Sequence, residues 1–249
     1  MGMVQIGPAG SVVGGVLTLG VLAALGQVSS AGWAAGIVYL VVCNALLARG
    51  LRRSGATTFG WANTATATRS TLVGLVTALV STALLGDTIS VPLLVGLGIP
   101  ALALDAVDGW LARRTNGATA LGARFDMEVD AYLLLVLSAY VAPMAGAWVL
   151  AIGLMRYVYV AAGWVLPWLR GPVPFRYWAK VVCAVQGIVL LAAASGLLPE
   201  WLAVAALAIA LALLCESFGH DVVWLWAARQ RPAPRATAMS TSVTAKPTR

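Results

Sequence analysis

The chain has 249 residues, of which 61% are apolar and only 10% charged, with a formal net charge of +7. That balance lies far outside the composition of water-soluble domains. It excludes a soluble fold, and the absence of period-two alternation excludes a membrane β-barrel.

Apolar runs of roughly 20 residues, enough to cross a bilayer, recur eight times, at about 11–29, 31–48, 70–86, 89–108, 123–142, 145–166, 180–197 and 200–218. Backbone groups in lipid must be hydrogen-bonded internally, so helices are expected. The fold class is therefore an all-α integral membrane protein. A two-helix hairpin (residues 1–50) precedes a six-helix core (60–218), and a Pro-, Ala-, Ser- and Thr-rich segment (230–249) reads as a disordered tail. The first span has no positively charged start and no clear cleavage site, and is read as retained.

Basic residues fall in alternate gaps. Arg49, Arg52, Arg53 and Arg69 flank the second gap, Arg113, Arg114 and Arg124 the fourth, and Arg170, Arg176 and Lys180 the sixth. Arg229, Arg231, Arg235, Lys246 and Arg249 end the chain, and the intervening gaps hold only Asp87 and Glu200. The positive-inside rule puts the basic gaps and both termini in the cytoplasm of a multi-pass cell-membrane protein. Topology and anionic headgroups account for the excess charge, so no nucleic-acid partner is needed. Pro167, Pro172 and Pro174 break the chain after the sixth span. Cys43, Cys183 and Cys215 lack zinc spacing and read as small apolar residues. Nine of the ten tryptophans, those at 61, 110, 148, 164, 168, 178, 201, 224 and 226, mostly flank spans, as interfacial anchors do.

Against this background, Asp105-Ala-Val-Asp108-Gly109-Trp-Leu-Ala112-Arg113 and Gly122-Ala-Arg-Phe-Asp126-Met-Glu-Val-Asp130 stand out. Charge near lipid is expensive and is kept where it works or is paired. On helices, Asp105 and Asp108 share one face, as do Asp126 and Asp130. Two facing helices would aim four carboxylates at one point. Such a set repels itself unless cations intervene, and oxygen-only ligands favour a hard ion such as Mg²⁺, Mn²⁺ or Ca²⁺. Gly109 frees backbone beside Asp108, and Gly122 lets two helices approach one turn before Asp126. Structural salt bridges to Arg113, Arg114 and Arg124, or a proton- or ion-coupled transporter, are the competing explanations of the four aspartates.

The spacing D-x-x-D-G-x-x-A-R-x8-G-x-x-x-D-x-x-x-D resembles the signature of the CDP-alcohol phosphotransferase family at every position, from Asp105 to Asp130. Asn63-Thr-Ala-Thr66-Ala-Thr-Arg69 is similar to the family's N-x-x-T-x-x-R at the start of the first core helix. Lys180 and Gln186 resemble a family K…Q pattern. The resemblance implies a phospholipid-biosynthesis enzyme that transfers a phosphoryl-alcohol from a CDP-alcohol to a second alcohol and releases CMP. It implies two Mg²⁺ or Mn²⁺ ions on Asp105, Asp108, Asp126 and Asp130, with Asp130 as ligand or as general base to the acceptor. It also implies a nucleotide site formed by Asn63, Thr66, Gly109, Ala112, Arg113 and Gly122. CDP-diacylglycerol is the expected donor, a small polar alcohol the acceptor, and a membrane lipid one of the partners. The alternative within the family sends a CDP-activated headgroup to a lipid alcohol. Many relatives are dimers, which implies a homodimer. Asp130 is followed by Ala131-Tyr132-Leu133, where branches that use glycerol phosphate or inositol phosphate carry a basic residue, so the acceptor is not readable.

The chemistry is consistent with these roles. Two hard ions would neutralise a pyrophosphate under attack, and a base that takes the acceptor's proton is worth roughly 10²–10⁴ in rate. Arg156 lies deep within a span, and either captures a substrate phosphate or carboxylate or pairs with Asp126 or Asp130. Arg176 and Lys180 either bind substrate phosphate or touch headgroups. Glu128 points away from Asp126 and is expected to pair with Arg124. His220, with Glu216 and Asp221, reads as a helix-end cluster.

Overall fold

The computed structural model describes residues 3–53, 61–115, 120–174 and 176–229; in stretches 3–9, 51–53, 61–65, 105–115, 120–121 and 123–124 it describes the backbone alone. The described residues form eight α-helices and no strand. They are α1 (Met3–Ala24), α2 (Ser30–Arg53), α3 (Trp61–Leu84), α4 (Val91–Thr115), α5 (Ala120–Ala145), α6 (Leu150–Val165), α7 (Tyr177–Ala194) and α8 (Glu200–Arg229). Six of them (α2, α3, α5, α6, α7 and α8) are long and apolar enough to cross a membrane. In α1 and α4 the apolar stretches among the described residues are shorter, Gly10–Ala24 and Val91–Leu104. The first half of the expected hairpin is thus a weaker span than its second. The expected disordered tail, 230–249, lies outside the described residues.

Helix α3 is the axis of the bundle. Sixty-seven per cent of its span is buried, against 22–39% for the other five. It packs against α1, α2, α4 and α5. Arg69, Val73, Val76 and Val80 are buried along one side, at helical spacing. Its hydroxyls are satisfied within the helix: Thr71, Thr77 and Thr82 donate to the carbonyls of Ala67, Val73 and Ala78 at 3.0, 2.7 and 2.8 Å. This back-bonding lets a Thr-rich helix enter an apolar bundle without leaving orphan donors. Outward positions are apolar instead of polar: Leu17, Leu46, Val158, Ile188 and Ile209 are all exposed, as a lipid-facing surface requires.

Small residues set the helix separations. On α2, Gly32 and Gly36 face α3. A Cβ at Gly32 would strike Thr82 Oγ1 and would lie 2.5 Å from the Ala78 carbonyl. At Gly36 it would lie 3.0 Å from Ala78 Cβ. This is a small-xxx-small contact that brings two backbones together. Gly98 receives Leu191, and Gly187 receives Leu102, where α4 meets α7. Tight turns close one end of the bundle, with Gly86 (φ 93°) between α3 and α4 and Gly146 (φ 106°) between α5 and α6; such backbone favours glycine. The basic connections, between α2 and α3, α4 and α5, and α6 and α7, lie at the opposite end.

Gly32→Val puts branched carbon onto the α3 backbone and is expected to cost about 1–3 kcal/mol by overpacking. Thermal unfolding of the detergent-solubilised protein measures this, and an unchanged midpoint would contradict the close α2–α3 contact.

Candidate functional site

Asp126 and Asp130 lie one helical turn apart on α5, and α3 supplies their counter-charge. The guanidinium of Arg69 is fully buried. Its Nη2 forms an ion pair with Asp126, lies 3.4 Å from Asp130 Oδ1, and donates to the Asp126 main-chain carbonyl at 3.1 Å. The two carboxylates are 27% and 23% exposed, so one face of each remains open. One cation therefore spans two anions where water is scarce. Removing one partner of such a group leaves the other charges uncompensated.

Helix α4 continues unbroken through Asp105, Asp108, Gly109, Ala112 and Arg113 to Thr115. The side chains of these five residues, and that of Asn63, lie outside the described part, as do those of Arg114 and Arg124. Backbone register still relates the two halves of the motif. At 1.5 Å per residue, Asp108 and Asp105 stand about 10 and 15 Å before the end of α4, and Asp126 and Asp130 about 9 and 15 Å after the start of α5. The two pairs thus occupy matching heights on successive helices. α3 packs against both α4 and α5, and so does α7.

The donors that are described suit a divalent cation. Asp126 and Asp130 offer only carboxylate oxygens, the ligands of a hard ion. The position of Arg69 shows that this space draws positive charge. Among the described residues no group of three or more His, Cys, Asp or Glu gathers around one point; completing such a set would require Asp105 and Asp108.

A cavity of about 640 Å³ opens beside Asp130 between α4, α5 and α7. Val95, Leu102, Leu133, Cys183 and Leu191 contribute to its wall, which is otherwise almost wholly apolar. Ile99 and Ile188 also line it and are 56% and 61% exposed, so it opens sideways toward the lipid-facing surface. Along α7 it extends from Cys183 to Ser195, about 18 Å of helix. It begins at a carboxylate and ends near the glycine-closed turns.

The remaining expected site residues are dispersed. Thr66 is buried on α3, one turn before Arg69 and Ser70, and Gly122 is half-buried at the start of α5. Arg156 pairs with Glu128, and its Nη1 lies 2.8 Å from Met127 Sδ. Arg156 thus meets Glu128 and neither Asp126 nor Asp130, while the pairing expected between Glu128 and Arg124 lies outside the described side chains. Arg176 donates to the Ser217 carbonyl at 3.0 Å and meets Asp221 at 2.9 Å, and Trp178 donates to Glu216 at 3.0 Å. These bonds tie the start of α7 to α8 and use two of the acids expected to cluster with His220. Lys180 is exposed near the same end. Gln186 is fully buried and donates to the Ala210 carbonyl at 2.8 Å.

Sequence reasoning placed Arg69 among the basic flanks and at the end of the N-x-x-T-x-x-R pattern but missed its pairing with Asp126 and Asp130. The signal was present: Arg69 continues the stripe of Val73, Val76 and Val80, and a charge on a buried stripe of a membrane helix needs an acid within reach.

A bundle of membrane-spanning helices with an acidic, cation-seeking end defines a multi-pass membrane protein with an intramembrane polar site. The CDP-alcohol phosphatidyltransferase family model matches residues 59–215, and the chain belongs to that family. Comparison with curated proteins and with solved structures returned no match. The chain is accordingly a phosphotransferase acting on CDP-alcohols, a transferase of phospholipid biosynthesis, in a family generally dependent on divalent metals. Membership sets aside the transporter reading.

Arg69→Ala leaves two half-buried carboxylates without their cation. The expected loss is about 2 kcal/mol of stability, below the usual range for fully buried pairs because solvent reaches both acids. Thermal unfolding checks this, and Arg69→Lys is expected to recover part of the loss.

Proposed function

We propose that the protein transfers the phosphatidyl group of CDP-diacylglycerol to a small polar alcohol and releases CMP. The observation that carries this reading is the apolar cavity with Asp130 at its edge. Acyl chains would occupy the apolar part, and the diphosphate would then lie at the acidic end. Ligand pockets of this kind are mostly apolar, with few convergent polar groups.

In this reading Asp105, Asp108, Asp126 and Asp130 would hold Mg²⁺ or Mn²⁺, two ions in all, which when bound would neutralise the diphosphate and favour loss of CMP. Asp130 accepts the proton of the acceptor hydroxyl. The new bond joins the acceptor oxygen to the phosphatidyl phosphorus, and the bond from that phosphorus to the bridging oxygen breaks as CMP leaves. Arg69 keeps Asp126 and Asp130 in fixed orientation, since positioning within a fraction of an ångström governs such reactions. Asn63, Thr66, Gly109, Ala112, Arg113 and Gly122 form the nucleotide site by their match to the family motif. Lys180 remains a candidate for substrate phosphate. Arg156 and Arg176 are engaged by Glu128 and Asp221 and serve as structural charges in this scheme.

The segment 60–218 constitutes the catalytic core, with the hairpin 1–50 added to it. The distribution of basic gaps supports placing the site and both termini on the cytoplasmic side of the cell membrane. A homodimer is supported by the Glu128–Arg156 pair. Glu128 is 55% exposed beside the long apolar face of α6, and a second copy seated there would cover the pair.

Purified protein offered CDP-diacylglycerol, Mg²⁺ or Mn²⁺ and a panel of L-serine, glycerol 3-phosphate, inositol 1-phosphate and glycerol is expected to release CMP and form one new phospholipid. Asp130→Asn is expected to lower CMP release by at least about 100-fold; turnover near that of the native protein would reject its assigned role. Cys183 lines the cavity, so CDP-diacylglycerol is expected to slow its alkylation by a maleimide in a Cys215→Ala background. Protection by diacylglycerol and not by CDP-diacylglycerol would favour the reverse reaction, in which a soluble CDP-activated headgroup goes to a lipid alcohol.

A further inference from the structure

The hairpin α1–α2 lies outside the family match at 59–215, yet it touches both helices that meet at the Arg69–aspartate group. On α3, Ser70 follows Arg69 directly, and its hydroxyl donates to Cys43 Sγ of α2 at 3.1 Å. The Cys43 thiol in turn donates to the Tyr39 hydroxyl one turn away, at 3.6 Å. The Tyr39 ring stacks on the Tyr132 ring of α5, with centroids 4.5 Å apart and planes 17° apart. Tyr132 is two residues beyond Asp130. A continuous set of contacts therefore runs from α3 through α2 to α5, parallel to the direct bridge that Arg69 makes to Asp126 and Asp130.

The surroundings hold this route in place. Gly74 of α3 makes room for it: a Cβ there would lie 2.8 Å from Leu40 and 3.3 Å from the Tyr39 ring. Buried Asn44, the residue after Cys43, accepts from Ser11 of α1 at 2.8 Å and donates to the Leu40 carbonyl at 2.9 Å. At the far end, Ser29 N–H donates to Thr82 of α3 at 3.1 Å. The hairpin is thus fixed to α3 at both ends, and it reaches across to α5 at the level of the aspartates. None of its residues lines the cavity beside Asp130.

We infer that Tyr39 is a positioning residue for the transfer reaction: by stacking on Tyr132 it fixes α5 against α3, and so sets Asp126 and Asp130 against Arg69. The inference rests on the proposed role of those aspartates. A displaced α5 would misplace the base and the ligand carboxylates while leaving the lipid cavity intact. The effect therefore falls on kcat and spares KM for the lipid, because misplacement of about 1 Å can cost on the order of 100-fold in rate.

The test uses the full-length protein in detergent or nanodiscs, with CDP-diacylglycerol and whichever panel acceptor gives the highest turnover. Tyr39→Ala is expected to lower kcat at least about tenfold with KM for CDP-diacylglycerol within about twofold. Tyr39→Phe, which keeps the ring, is expected to stay within about threefold of the native kcat, since the stack and not the hydroxyl carries the effect. Native kcat in Tyr39→Ala overturns the inference, as does a loss confined to KM or a Tyr39→Phe as impaired as the alanine variant. If Tyr39→Ala does not fold, Tyr39→Leu is measured under the same criteria. Asp130→Asn serves as the separate control. An active Asp130→Asn sinks the reading of the aspartates, whereas an inactive one beside a fully active Tyr39→Ala sinks the positioning role alone.

Discussion

Two carboxylates one turn apart cannot share an apolar bundle without positive charge between them, and this constraint organises the protein around α3. Arg69 meets it from a position with no solvent exposure. A guanidinium there is tolerated where two acids and a main-chain carbonyl gather around its Nη2. The buried stripe of α3, the threonines that bond back onto their own helix, and the close glycine contacts of α2 follow from the need to enclose that helix on several sides. Burial so complete for one helix of a small membrane bundle marks where geometry has to be held.

The architecture separates two tasks. In the proposed reaction, recognition of an oily substrate would fall to α4, α5 and α7, whose residues lining the cavity are almost wholly apolar. Charge is gathered by α3 and α5, through Arg69, Asp126 and Asp130, and the proposed reaction would add the aspartates of α4. Asp130 belongs to both groups, since it lines the cavity and lies 3.4 Å from Arg69, and in the proposed reaction it would join the lipid tail to the phosphate chemistry. The tight turns at the opposite end leave little room for insertions.

Much of this could be read from the sequence because membrane helices announce themselves by length and apolarity, and because the aspartate spacing is rigid. The eight helices and the face shared by Asp126 and Asp130 follow from such local rules. What could not be read is what depends on neighbours distant in the chain. Arg69 looks like a basic flank until α5 is laid beside α3. Arg156, deep in its span, finds its acid in Glu128, 28 residues away in the chain and brought to it by the packing of α5 on α6. Arg176 resembles a phosphate ligand until α8 presents Asp221 and the Ser217 carbonyl. Hydropathy marks the spans and not the helix ends: α4 runs on past its apolar run to Thr115, as the helical reading of Asp105 and Asp108 requires, and α8 runs to Arg229, so that His220 lies within a helix and not at its end.

The sideways mouth of the cavity has a kinetic corollary. A substrate that arrives through the flank of the bundle is never dissolved in bulk water, so its availability is a surface density. Dilution with inert lipid would slow the enzyme even at constant total amount, and bilayer thickness and fluidity would become rate variables. Only the acceptor alcohol, arriving from the aqueous side, would obey ordinary molar concentrations.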